Sequence, residues 1–224
     1  VTGAGVDVTA RHVVLATGFN RVPVVPDWPG AGSFTGSLAH SSAYRDATPY
    51  RGRDVLVAGI GNSGAEIAAD LAESGAGRVR IAVRTPPHVV TRQVGPLPTT
   101  LIGIAQAYLP AWLVDPGSAR LARAVVGDLS AYGLPTPQEG VAARMRHLGS
   151  VPLIDVGLVD QLRAGRVEVV AAIAAFDGAA VELVDGSCLR PDAVIAATGY
   201  VDGLAAFVDA GPATPVGRRA LDRR

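Results

Sequence analysis

An alternating α/β fold around a parallel sheet is what this sequence predicts, and three observations predict it. Short apolar runs of strand length, Asp54–Ala58 and Val79–Val83, flank an amphipathic helical stretch, the order of a βαβ unit. The turn between the first run and the helix is Gly59-Ile60-Gly61-Asn62-Ser63-Gly64, a GxGxxG pattern. Two further apolar runs end in the same tripeptide, Ala-Thr-Gly, at Ala16–Gly18 and Ala197–Gly199. Composition permits such a fold. A chain of 224 residues, 49% hydrophobic and 18% charged with no formal net charge, has the balance needed to bury a core.

Taken in order, the run His12–Ala16 reads as a first strand, bounded by Gly18. From Pro23 to Gly36 the chain carries Pro23, Pro26, Pro29, Gly30, Gly32 and Gly36, an irregular connector. Asp54–Ala58 suits a strand buried in a parallel sheet. The helix runs from about Ser63 to Ser74, with Ile67, Ala68 and Leu71 on its apolar face and Glu66, Asp70 and Glu73 on its wet one. Gly75 and Gly77 stop it, and Val79–Val83 completes the βαβ unit. Leu101–Leu109 and Ala119–Leu129 read as helices, with Pro110 and Pro116 as breaks. Pro152–Ile154 reads as a strand and Val156–Arg163 as a short helix. Val167–Ala197 then reads as three or four strands, separated by the hairpin signals Asp177-Gly178 and Asp185-Gly186.

Composition also excludes partners. All 20 basic residues are Arg, balanced by 20 acids, which reads as the codon bias of a GC-rich bacterial genome and leaves no charge excess for nucleic acid. The single Cys188 rules out an internal disulfide or a CxxC pair, and a cytoplasmic setting follows as the expectation. No metal-ligand cluster stands out. Met145 is the only methionine and no signal peptide opens the chain, so Val1 is not expected to be a translation start. Gln93–Val114 carries no charge, but Pro96, Pro98, Pro110, Thr99, Thr100 and Gln106 argue for a helical flap or interfacial patch, not a membrane span.

A GxGxxG that follows a strand and opens a helix is a dinucleotide fingerprint. Gly59 allows the tight turn, Gly61 lets the backbone approach a pyrophosphate, and Gly64 lets the helix pack closely on the strand. The free amides and positive end of the helix then hold the phosphates. Asn62 and Ser63 either reach the cofactor or cap the helix. The end of the second strand selects the cofactor: an acid there suits NAD, an arginine NADP. Here it ends in Val83-Arg84-Thr85, with no acid between Glu73 and Asp115 but with Arg78, Arg80, Arg84 and Arg92 in that interval. A guanidinium grips a 2′-phosphate bidentately where a carboxylate would repel it. The expected cofactor is NADPH, read by Arg84.

The stretch Phe34-Thr35-Gly36-Ser37-Leu38-Ala39-His40-Ser41-Ser42-Ala43-Tyr44 resembles the FxGxxxHxxxY signature of flavin-containing monooxygenases. Tyr44 sets it apart from the related Baeyer–Villiger enzymes, which end the motif in Trp. Gly127–Pro135, Pro152–Gly157 and Ala193–Tyr200 look like the plant YUCCA branch and its bacterial relatives, which act on indole-3-pyruvate. The resemblance implies a Rossmann-type NADPH-binding domain of a flavoprotein with two dinucleotide-binding domains. It also implies a reaction in which NADPH reduces FAD, one atom of O2 passes to a small organic substrate and the other becomes water. His40, Ser41, Thr17, Gly18, Thr198 and Gly199 would then join Gly59, Gly61, Asn62, Ser63, Gly64 and Arg84 in lining the cofactors. No acid–base catalyst is implied; His40 and Tyr44 belong to a hinge and cleft wall, or His40 makes a structural hydrogen bond.

The family carries an earlier GxGxxG for FAD, and none is present before Ala16. The expected division is therefore 1–18 and 197–224 as partial FAD-domain segments, around an NADPH domain at 19–196 with a helical insertion at about 95–150. The two Ala-Thr-Gly segments would lie side by side at the crossings. A fragment, a truncated product and one half of a split enzyme all fit this pattern. So do a nucleotide-binding module without turnover and a flavoprotein reductase, although the lone Cys188 argues against a thioredoxin-reductase form. Tyr108 and Trp112, in the candidate lid Gly95–Tyr132, either suit an aromatic substrate or pack as core.

Overall fold

The computed structural model describes residues 2–3, 6–7, 9, 11–12, 14–18, 20–94, 96–148 and 151–206. Residues 24–199 form one compact unit, and the described residues of 1–23 and 200–206 group in a second. The second unit contains two short antiparallel ladders, Thr2–Gly3 with Val6–Asp7 and Val22–Pro23 with Tyr200–Val201. The run His12–Ala16 lies in it too, but its described residues form no strand, and Val14 is 88% exposed. An apolar run becomes a strand only where a neighbour supplies the ladder. None does so among the described residues.

The larger unit is built on the strands β1 (Ser37–His40), β2 (Asp54–Ala58) and β3 (Arg78–Val83). Helix α1 (Asn62–Glu73) joins β2 to β3, the predicted βαβ unit. Then follow β4 (Val89–Thr91), α2 (Thr99–Ala107), α3 (Ala111–Val125), α4 (Val141–Leu148), β5 (Leu153–Asp155) and α5 (Leu158–Arg163). The chain continues through β6 (Val167–Ala171), β7 (Ile173–Asp177), β8 (Ala180–Leu183), β9 (Cys188–Leu189) and β10 (Ala193–Ala196). Strands β6-β3-β2-β10-β1, in that order, make a five-stranded, all-parallel sheet.

The continuous apolar character of β2 has its reason in the layers. Val55 and Val57 point to a face covered by α1 and α5, where Leu71, Leu158 and Leu162 are buried with Val79, Ile81 and Ile195. Leu56 and Ala58 point to the other face, under Ile173, Phe176, Val181 and Leu183. Successive strand side chains alternate, so a strand covered on both sides is apolar at every position. Arg80 is the exception. Its buried guanidinium donates to both oxygens of Asp54, at 2.7 and 2.9 Å, and lies 3.4 Å from Glu168.

The second cover is an antiparallel meander, β7-β8-β9, and Asp177 pairs with Ala180 across the turn Gly178-Ala179, one residue on from the expected Asp177-Gly178. Val167–Ala197 thus yields five strands, more than the three or four expected. β6 and β10 join the parallel sheet, and local pattern does not reveal which sheet a strand enters. Phe34 and Trp28 pack on Phe176 with ring centroids 5.2 and 5.7 Å apart. In the helical insertion Pro116 does not break the chain. α3 starts at Ala111, after Pro110 as N-cap, and carries Pro116 inside it. Trp112, whose carbonyl Pro116 cannot serve, is exposed, so water can take that bond. The Asp115 carboxylate then caps α4 through the amides of Ala142 and Ala143.

Candidate nucleotide-binding edge

The carboxyl ends of β1, β2 and β10 meet in register, with Ala196 paired to both Ala58 and His40. Ligands of open α/β sheets bind outside the carboxyl ends of the strands. The Gly-rich turn occupies its centre. Gly59 has φ +107, and a Cβ on it would stand 2.6 Å from the Ala197 carbonyl oxygen. A Cβ on Gly64 would fall 2.0 Å from the Gly59 oxygen, so helix α1 sits on its own turn only because that side chain is absent. Gly61 is different: a Cβ there would meet nothing. That open side, next to the unspent amides at the start of α1, fits the close passage of a phosphate.

Neither Asn62 nor Ser63 caps the helix; Gly61 is the N-cap and no side chain bonds there. Ser63 is exposed, and Asn62 Oδ1 accepts the Ile154 amide at 2.8 Å. Arg84 stands just past the end of β3, exposed. Among the described residues it makes no hydrogen bond or ion pair, whereas Arg78 and Arg80 are engaged with Glu168 and Asp54 at the opposite end of the strands. Of the basic residues on and just beyond β3, Arg84 alone combines the right end of the sheet with an unengaged guanidinium.

His40 is buried, and its Nδ1 accepts the Ser42 amide at 3.0 Å. Its Nε2 donates to the Gly199 carbonyl at 3.0 Å. The Gly199 carbonyl also accepts from the Val24 amide, and the Thr198 hydroxyl donates to the Val24 carbonyl. His40 and Thr198 thereby fasten the sheet edge. The Ser41 Oγ is buried without a partner among the described residues, leaving a hydroxyl free to bond a ligand. Thr17 and Gly18 belong to the other unit and are exposed, Gly18 with φ +75. Tyr44 donates to Asp70 on α1 at 2.5 Å and stacks on Tyr50. Burial, then that bond to Asp70, raises its pKa, so the phenol stays protonated. The Asn62, Tyr44 and His40 links join residues 92, 26 and 159 positions apart, and no local pattern announces them.

A cavity of about 590 Å³ lies elsewhere, at the amino ends of β3 and β6 beside Arg78, Arg166 and Glu168. No helix among the described residues is long and apolar enough to cross a membrane.

Comparison with known proteins agrees with this architecture. Polycyclic ketone monooxygenase of the fungus Thermothelomyces thermophila superposes with a TM-score of 0.66 at 17% identity, covering 88% of this chain and 42% of the other. Cyclohexanone monooxygenase bound to epsilon-caprolactone gives 0.61 at 21% identity, covering 82% and 47%. These likenesses establish the fold, the α/β nucleotide-binding architecture of flavin monooxygenases. In sequence, a probable indole-3-pyruvate monooxygenase of Arabidopsis thaliana, YUCCA3, is 38% identical over 85% of this chain and 44% of its own length. Indole-3-pyruvate monooxygenase YUCCA1 of Oryza sativa subsp. japonica is 37% identical over 90% and 50%. The chain thus spans about half the length of these curated relatives. The flavin-binding monooxygenase-like family matches residues 6–210, nearly the whole sequence, and to that family this chain belongs.

Proposed function

We propose that residues 19–196 are the NADPH-binding domain of a flavin-dependent monooxygenase, and that 1–18 and 197–224 belong to its FAD-binding domain. One observation carries this reading. The open face of Gly61 and the unengaged Arg84 lie at the same end of adjacent strands, where a pyrophosphate and a 2′-phosphate would be held together. Gly59 and Gly64 shape the turn, Arg84 reads the 2′-phosphate, and the Ser41 hydroxyl is positioned for a further polar contact. NADPH supplies the hydride and FAD the oxygen chemistry when both are bound. This chain's residues bind and orient. A small organic acid resembling indole-3-pyruvate is the substrate that the relatives' names support. A cytoplasmic, bacterial origin rests on composition alone.

A second reading is a nucleotide-binding module without turnover of its own. It is favoured by the presence, among the described residues, of a single Gly-rich turn that opens a helix. Flavin content separates the two. One equivalent of FAD bound to the purified chain would discard the module.

Arg84→Ala tests the main reading. Its NADPH affinity should fall by about 1–3 kcal/mol, the scale of a charge-assisted bond, while NADH affinity stays near wild type. Equal losses for the two nucleotides, measured by calorimetric titration, would remove Arg84 from the 2′-phosphate.

A further inference from the structure

Asn62 occupies the first position of the helix whose amides face the phosphates, yet its side-chain oxygen points into the protein. It accepts the Ile154 amide at 2.8 Å. Ile154 is the middle residue of β5, which pairs in parallel with β4 as a separate two-stranded sheet beside the main one. The Leu153 amide turns toward β4 and donates to His88. By strand alternation the Ile154 amide faces the opposite edge, where Asn62 is its partner. Strand β4 lies between Arg84 and Arg92, and the stretch leading into it is pinned by Arg144 on the Pro86 carbonyl and by His88 on the Glu139 carbonyl. Asn62 therefore fastens the Gly59–Gly64 turn to the small sheet whose strand β4 follows the stretch that starts at Arg84 and runs into the exposed Arg92.

We infer that Asn62 is a positioning residue for cofactor preference: through β5 and β4 it sets how the segment from Arg84 to Arg92 stands against the Gly59–Gly64 turn. The inference rests on the NADPH reading above. It differs from a role as cofactor ligand, because a ligand to the pyrophosphate or ribose would serve NADH and NADPH alike. It differs from a purely structural role, because that would change stability and leave preference intact.

The test uses the whole chain and two substitutions. Asn62→Ala removes the acceptor. Asn62→Asp keeps an oxygen for the Ile154 amide but adds a negative charge beside the pyrophosphate, and an acid at a helix start is tolerated. Affinities for NADPH and NADH are measured by calorimetry. The NADPH-to-NADH preference of Asn62→Ala should fall about tenfold, the scale of one charged hydrogen bond, with NADH little changed. Asn62→Asp should weaken both nucleotides by a similar factor and keep the preference. Equal losses in Asn62→Ala, or a preference lost as fully in Asn62→Asp, overturns the inference. Amide hydrogen exchange without nucleotide supplies the second readout. Asn62→Ala should speed exchange at Ile154 and along Arg84–Thr91, and protection unchanged along Arg84–Thr91 also overturns the inference. A wild-type chain that binds neither nucleotide would instead refute the NADPH reading, leaving the exchange experiment to decide the link.

Discussion

Helices α1 and α3 are both amphipathic, yet they end in opposite circumstances. The 12-residue α1 buries Gly64, Ala65, Ile67, Ala68, Ala69 and Leu71, whereas the 15-residue α3 buries Val114. The apolar residues of α1 lie on a sheet whose own strands are apolar on that face. Helix α3 packs on α4 and β4, and its Trp112, Leu113, Leu121 and Val125 remain exposed. A hydrophobic stripe states which side of a helix can be buried; the neighbouring layer decides whether it is. The region with a complete layer behind it holds the candidate nucleotide-binding edge.

The sharpest way to break this comparison is to remove one core side chain from α1. Leu71 is fully buried, and Leu71→Ala should cost about 2–5 kcal/mol, including the cavity it leaves. Denaturant unfolding measures it. A loss no greater than that of a surface change would mean that α1 is held no better than α3.

Glycine substitutions separate the fold of the edge from its binding. Gly64→Ala drives a Cβ to 2.0 Å from the Gly59 oxygen, and such overpacking should cost about 1–3 kcal/mol together with NADPH affinity. Gly61→Ala meets open space and an extended backbone, so stability should stay within about 0.5 kcal/mol while NADPH affinity falls. If Gly61→Ala binds NADPH as the wild type does, no phosphate passes there.

His88 joins the two regions, since it accepts from Leu153 of β5 and donates to the Glu139 carbonyl ahead of α4. Burial pushes its pKa below the ordinary histidine range, against the pull of the Glu139 carbonyl, and Arg144 lowers it further. The unfolded chain then takes up a proton near pH 6.5 while the folded chain resists. Stability should be level above that pH and decline as the pH falls below it. His88→Gln should flatten this decline between pH 7 and 5. An unchanged slope in thermal unfolding would assign the pH response to other groups.

Much of the core was legible because it is local: β2, the Gly-rich turn, α1 and β3 are consecutive, and each glycine's role follows from turn geometry. The position of Arg84 was legible for the same reason, one residue past a strand end. The role of Asn62 was not, because its partner Ile154 arrives from distant sequence; for His40 a structural hydrogen bond was one of two readings, and only its partner Gly199 was out of reach. Ser37–His40 passed as motif without reading as a strand, since its small and polar residues gain strand character only by pairing with β10. Pro116 misled for a physical reason as well. A proline forbids one hydrogen bond, and an exposed helix can lose that bond to water.

The smallest expected effect lies on α3. Trp112 is 76% exposed and Tyr108 88%, so neither packs as core within this unit. The chain between Arg92 and Asp115 carries no charge of its own, and Arg146 reaches the Leu109 carbonyl between the two rings. Trp112→Ala therefore removes little buried surface, and unfolding free energy should change by no more than about 0.5 kcal/mol. What it should change is association. An exposed apolar patch of this kind is a contact surface or an aggregation liability, and removing its largest side chain should reduce concentration-dependent self-association. Denaturant unfolding and sedimentation, run on the same preparations, read the two quantities separately. A loss above about 2 kcal/mol would show Trp112 to be core after all. The contrast between a covered α1 and an uncovered α3 would then disappear.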